Sequence, residues 1–284
     1  MLRAHDLRDE AVSGRFAALV DAAAGADGQP PFSDQSIVDA RNGRSDYLEV
    51  TDAAGGVVGA AIDSAADPAE FELVIHPAHR GRGHGTAALQ ELLGRHDGEV
   101  LTWAHGDHPA AAKLAASAGL DRVRTLLQLR TPLGQATGER DSFDRFDAAR
   151  DGDDWVRLNA EVFRTHPEQG RLTRADLDAR LAEPWFRSRD FLLARDEDDA
   201  LIGYNWLKVE GGIGEIYVIG VAESAAGAGL GRRLMHAGLE QLREDGCDTA
   251  ALYVDDENAP AVALYRSLGF TDHTIDVQYR RAAP

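Results

Sequence analysis

The chain has 284 residues, 44% of them hydrophobic and 27% charged, which is long enough for two domains of ordinary size and apolar enough to bury cores in both. Its formal net charge of −18, from 48 acidic against 30 basic residues, would repel a phosphate backbone over most of the surface and argues against a nucleic-acid partner. The single cysteine, Cys247, excludes an intramolecular disulfide and reads as a buried or half-buried spectator between a helix and a strand. No apolar run approaches the roughly 20 residues of a membrane span and no secretory segment stands at the start, so a cytoplasmic protein is expected.

In chain order, residues 47–50 read as a short strand and residues 71–75 as an apolar one. A glycine-rich turn follows, Arg80-Gly81-Arg82-Gly83-His84-Gly85, and then a helix with Ala88, Leu89, Leu92 and Leu93 on one face. Next come a strand at 101–104 and a Pro-started helix ending at Gly119. After a stretch at 131–140 with the composition of a linker, the same order returns. Residues 191–194 and 214–221 read as strands, Ala226-Gly227-Ala228-Gly229-Leu230-Gly231 as the turn, and Leu234, Met235, Leu239 and Leu242 as the apolar face of a helix. A strand at 252–255 and a helix with Pro260 in its first turn and Gly269 as its stop complete the copy. An offset of 146 carries Gly83 to Gly229 and Gly85 to Gly231, and one of 150 carries Gly119 to Gly269. We therefore expect a duplication, with domains at 1–135 and 141–284, each an α/β (α+β) sheet domain.

The turns invite a chemical reading. Glycine lets an anion approach the backbone, and a helix N-terminus offers N–H groups and roughly half a positive charge to a diphosphate. One such turn is as readily required by its dihedrals alone; two copies in register favour pyrophosphate binding.

The turns resemble the pyrophosphate loop, Arg/Gln-x-x-Gly-x-Gly/Ala, of the GCN5-related N-acetyltransferases. The first copy matches in full, whereas the second has Ala226 at the opening position. Asn258-Ala259-Pro260-Ala261-Val262-Ala263-Leu264-Tyr265, continuing to Gly269-Phe270, resembles the same family's Asn-x-x-Ala-x-x-Leu-Tyr-x-x-x-Gly-Phe signature. The resemblance implies two tandem domains, each with a mixed, mostly antiparallel sheet flanked by helices. It also implies acetyl-coenzyme A as co-substrate. The cofactor contacts it implies are Leu73, Val74, Ile75, Arg80, Gly81, Arg82, Gly83, His84 and Gly85 in the first half. In the second they are Ile219, Gly220, Val221, Ala226, Gly227, Ala228, Gly229, Leu230, Gly231, Arg232, Asn258, Ala261 and Ala263.

An α-amino group has a pKa of about 7.7–8.0 and must lose a proton before it attacks. The resemblance makes Glu215 the general base and Tyr265 the general acid beside the departing thiolate, with N–H groups near 219–221 facing the acetyl oxygen. Under the repeat offsets Glu215 falls on Ala69, Asn258 on His108 and Tyr265 on Ala115, so the first copy is expected to bind acetyl-coenzyme A without catalysing. A bulge there could turn Glu70 or Glu72 inward.

Segments 72–77, 103–106, 166–170, 206–209 and 214–218 resemble a tandem branch of the family that acetylates the cysteinyl amine of a cysteinyl-glucosaminyl-inositol. That implies a small thiol glycoside as substrate, contacted by Glu168, Lys208, Glu215 and Tyr253, with Asp34 contributed by the first half. Other acceptors, namely a protein N-terminus, a polyamine or an antibiotic amine, and a non-catalytic acetyl-coenzyme A sensor are the competing readings. A monomer with no metal is expected, and His76, His79, His105 and His108 read as surface or turn histidines.

Overall fold

The computed structural model describes residues 1–135, 141–164 and 169–283. In chain order the first half forms β1 (Leu2–His5), α1 (Glu10–Asp27), α2 (Asp34–Arg41), β2 (Asp46–Thr51), β3 (Val57–Ser64), β4 (Ala69–Ile75), α3 (His84–Leu93), β5 (Val100–His105), α4 (Pro109–Ser117) and β6 (Asp121–Pro132). The second half forms β7 (Asp144–Arg145), α5 (Ala148–Val162), α6 (Arg174–Leu181), β8 (Phe191–Arg195), β9 (Leu201–Glu210), β10 (Ile213–Val221), α7 (Leu230–Glu244), β11 (Thr249–Asp255), α8 (Ala259–Ser267) and β12 (Thr271–Arg281).

The chain divides into two compact units, and neither is a contiguous half. Unit 1 holds residues 1–127, 255–257 and those from 273 onward; unit 2 holds 128–254 and 258–272. The boundary read from the sequence at 136–140, which lies outside the described residues, therefore does not separate the units. The final strand of each repeat is exchanged: β12 pairs antiparallel with β5 in unit 1, Val277 opposite Ala104, while residues 128–132 of β6 belong with unit 2. Both strands follow a helix stopped by a positive-φ glycine, Gly119 or Gly269, so local sequence does not distinguish the two pairings.

In unit 1 the strands β1, β2, β3 and β4 pair antiparallel in turn, and β4 pairs parallel with β5. Helix α1 starts because the Asp9 carboxylate accepts from the N–H groups of Ala11 and Val12, and it stops at Gly28, whose φ is 82°. Its Val12, Phe16, Leu19 and Ala23, at helical spacing, bury against Tyr47, Ile62 and Val74. On the other sheet face, Leu89, Leu92 and Leu93 of α3 pack with Leu48, Ala61 and Phe71.

Unit 2 repeats the plan. Strands β7, β8, β9 and β10 are antiparallel, and β10 is parallel to β11. Its two faces bury different clusters. Trp155 of α5 meets Phe191, Tyr204 and Trp206, with the Phe191 and Trp206 rings stacked at 4.5 Å, while Leu230, Leu234 and Ala237 of α7 meet Leu192 and Ala194. Cys247 is buried, and burial together with the nearby Asp245 carboxylate raises its thiol pKa, so it is no ready nucleophile. Among the described residues no helix is long and apolar enough to cross a membrane.

Candidate active site

Strand β10 changes face partway along. The pairing with β9 runs from Ile213 opposite Glu210 to Ile216 opposite Leu207, slips at Tyr217, and resumes with Val218 opposite Trp206. Before the slip, Gly214 lies against Leu242 of α7. After it, Ile219 and Val221 pack toward α7, and Gly220 lies against Tyr204 on the other side. A bulge inserts one residue and reverses the alternation, and it re-aims side chains where a site is built. Glu215, one residue from Gly214 and on the opposite face, therefore stands on the side away from α7.

Two neighbours share that face. Cα register sets Glu215 opposite Lys208 on β9 and beside Ala251 on β11, and Tyr253 lies two residues beyond Ala251. Tyr253 is 47% exposed, and its hydroxyl accepts from Gln128 Nε2 of β6. Lys208 Nζ lies 3.0 Å from Glu210 and 5.6 Å above the Trp185 ring, a placement that orients its cation along the strand. Lys208, Glu215 and Tyr253, singled out separately in the sequence, thus come to one sheet face. Asp34 opens α2 in unit 1 and is exposed. Glu168 lies outside the described residues.

The parallel ladder between β10 and β11 ends at Ile216 opposite Leu252. Beyond it the β10 edge that faced β11, including Ile219, Gly220 and Val221, presents backbone toward the gap between the strands. A Cβ at Gly220 would sit 2.7 Å from the Tyr204 ring and force it to shift, although that ring is fully buried and donates its hydroxyl to Asn159 Oδ1 at 2.7 Å.

At the C-terminal end of β10 the chain turns through Gly227 and Gly229, with φ of 78° and 80°, into α7, whose start has no side-chain cap. Its first N–H groups are therefore oriented outward for an anion. Ala226 adds no charge. The Leu230 side chain is part of the core and 7% exposed, so only its backbone can serve the loop. Helix α8 is tied beside it: Arg232 donates to Ser267 Oγ at 2.7 Å, and a Cβ at Gly231 would fall 3.8 Å from Leu264. Asn258 caps α8 by accepting from the Ala261 N–H at 3.3 Å, so its oxygen and that N–H serve the helix first; Ala263 is exposed. Tyr265 is buried beside Phe270, ring centroids 6.1 Å apart, and burial pushes its phenol up to about 12. The hydroxyl consequently keeps its proton throughout the neutral range.

Unit 1 repeats the loop. Gly81 and Gly83 have φ of 72° and 84°, and α3 also lacks a side-chain cap. Here the strands β4 and β5 part after Glu72 and Trp103 and open a cavity of about 560 Å³. Leu73, Val74, Ile75, Arg80, Gly81, Gly83, His84 and Gly85 line it; Arg82 is exposed and does not. Arg80 is already engaged, donating to both oxygens of Asp27 at 2.7 Å and to the Ile75 carbonyl at 3.0 Å, so it braces the loop. His108 caps α4 by accepting from the Ala110 N–H, the task Asn258 performs in the other copy.

Strand β4 carries no bulge: its register with β3 is continuous from Gly59 opposite Ile75 to Ser64 opposite Glu70. Glu70 accepts from Gln278, and the buried Glu72 holds His105 at 3.2 Å, with Asp276 3.3 Å from the other ring nitrogen. Burial alone would lower the His105 pKa, but the bonds to Asp276 and Glu72 outweigh it and push it up to about 10. His105 is therefore no surface histidine but a half-buried cation fixing β4, β5 and β12. Its partners come from 33 and 171 residues away, and no local motif announces them.

A parallel strand pair parting beside an uncapped glycine loop, with a bulged strand carrying a carboxylate, is the frame of a GCN5-related N-acetyltransferase. Residues 154–270 match the model described as the acetyltransferase (GNAT) family. A structure of a GCN5-related N-acetyltransferase from Sphaerobacter thermophilus superposes with a TM-score of 0.79 at 20% identity, covering 99% of this chain and 95% of that one. A tandem GNAT protein from the clavulanic acid biosynthesis pathway gives 0.71 at 17%, covering 100% and 98%. The chain is 49% identical over 276 residues to the mycothiol acetyltransferase of Clavibacter michiganensis subsp. michiganensis, covering 93% of this chain and 90% of that one. This chain belongs to the mycothiol acetyltransferase family.

Proposed function

We propose that the protein transfers acetyl from acetyl-coenzyme A to the cysteinyl amine of cysteinyl-glucosaminyl-inositol, giving mycothiol, and that unit 2 carries the reaction. The observation that carries the assignment of the site is the shared face of Glu215, Lys208 and Tyr253 beside the gap between β10 and β11. Acetyl-coenzyme A enters that gap with its pyrophosphate at Gly227–Gly231 and its thioester beside Gly220. Glu215, directly or through water, takes a proton from the ammonium, and the amine nitrogen then forms the C–N bond. Backbone N–H groups near 219–221 stabilise the oxyanion. As the C–S bond breaks, Tyr265 gives its proton to the sulfur, and the second proton shed by the new amide nitrogen restores the phenol, while the one held by Glu215 passes to solvent. The bulge at Tyr217 makes this possible, because it sets Glu215 and the backbone past Gly220 toward one opening.

Lys208 and Tyr253 hold the polar glycoside in this reading, joined by Glu168. Unit 1, with Ala69 and Ala115 where the base and acid would stand, retains a coenzyme A cavity without turnover. The need for acetyl-coenzyme A assigns the reaction to the cytoplasm. The deciding experiment combines acetyl-coenzyme A and cysteinyl-glucosaminyl-inositol, follows release of coenzyme A, and identifies products by mass spectrometry. N-acetyl product supports the assignment; S-acetyl product, or hydrolysis alone, overturns it.

A further inference from the structure

We infer that the cavity of unit 1 takes a coenzyme A thioester whose apolar acyl chain is longer than acetyl. The inference rests on the reading of unit 1 as a coenzyme A site and assigns the ligand class.

The two copies differ at the end of the gap where the thioester would lie. In unit 2 the buried rings of Tyr265 and Phe270 pack 6.1 Å apart. The offset of 150 replaces them in unit 1 with Ala115 and Leu120, and both line the cavity. Tyr265 is assigned beside the thioester sulfur, so the exchange of phenol for methyl opens space beyond the sulfur. The cavity uses that space, continuing to Phe71, Leu89 and Tyr279, which are members of the unit 1 core.

The lining also selects among acyl groups. Of the cations that line the cavity or flank it, Arg80 is committed to Asp27 and His105 to Glu72 and Asp276, while Lys113 lines it from an exposed position on α4. A carboxylate carried inward to Phe71, Leu89 and Leu120 would meet buried apolar side chains, where an unpaired charge is costly. A hydrocarbon chain meets apolar atoms there, and each buried methylene tightens binding about fourfold. With alanine at both catalytic positions the thioester is held intact, so the cavity reads out acyl-coenzyme A rather than consuming it.

The test titrates the full chain calorimetrically with coenzyme A, acetyl-coenzyme A and hexanoyl-coenzyme A, in the parent, in Ala115→Tyr and in the milder Leu120→Phe. Circular dichroism confirms that each variant is folded. The expected result is two coenzyme A sites per chain, one of which prefers hexanoyl over acetyl by at least about tenfold, since four methylenes are added. Ala115→Tyr should reduce that ratio to near one, and Leu120→Phe should reduce it in part. Two sites with no hexanoyl preference, or a preference untouched by both variants, would overturn the inference while leaving the coenzyme A reading of unit 1 intact. A single site, insensitive to Gly83→Val, would remove the underlying reading and the inference with it.

Discussion

The substitution His105→Gln isolates one buried electrostatic arrangement. His105 is 14% exposed and lies between Glu72 and Asp276, which are 2% and 14% exposed. Its pKa rises from 6.5 to about 10 on folding, which corresponds to about 5 kcal/mol of differential interaction. Because the folded value is the higher one, that stability is fully present below pH 6.5 and is lost as the pH climbs through 10. Glutamine keeps the shape roughly but carries no titrating proton. The gap in unfolding free energy between parent and variant should be largest near pH 6 and should have shrunk by about 2 kcal/mol at pH 8. Urea unfolding followed by circular dichroism at pH 6, 7, 8 and 9 measures it, taking the transition that the substitution moves. A gap that stays constant across this range would refute the argument, since it would mean that the two carboxylates do not hold the proton.

Glu215→Gln and Tyr265→Phe should each lower kcat by roughly 10²–10⁴ while acetyl-coenzyme A still binds, read by steady-state kinetics beside calorimetry; near-normal turnover in both would remove the assigned base and acid. Gly220→Ala places a Cβ 2.7 Å from the fixed Tyr204 ring, and overpacking of this kind costs about 1–3 kcal/mol, visible as a lower Tm with kcat falling more than KM rises. Gly229→Ala meets no atom within 4 Å, so its effect should come from the positive φ alone, about 1–2 kcal/mol, and should appear as a raised KM for acetyl-coenzyme A. A KM unchanged in that variant would mean that the loop does not hold the cofactor.

The duplication, the glycine loops and the apolar faces of α3 and α7 were legible because each is local: a turn, a period or a signature within about twenty residues. Leu89, Leu92, Leu234 and Leu242 are buried where helical spacing put them. Tyr253 and Lys208 could be singled out by resemblance, but their meeting with Glu215 depends on the register of three strands and a slip at Tyr217 that no residue type marks. Arg80 shows the same limit, for its partner Asp27 lies 53 residues earlier, at the end of α1.

By itself the sequence determined the two repeats, their strand–loop–helix order, and that the second copy has Glu215 and Tyr265 where the first has Ala69 and Ala115. Tertiary structure alone decided the exchange of β6 and β12, the enclosure of His105 between distant carboxylates, and the cavity of unit 1. The reason is physical. Propensity and periodicity act over one or two turns of chain, whereas edge pairing, buried ion pairs and unfilled volume depend on groups brought together from opposite ends of it.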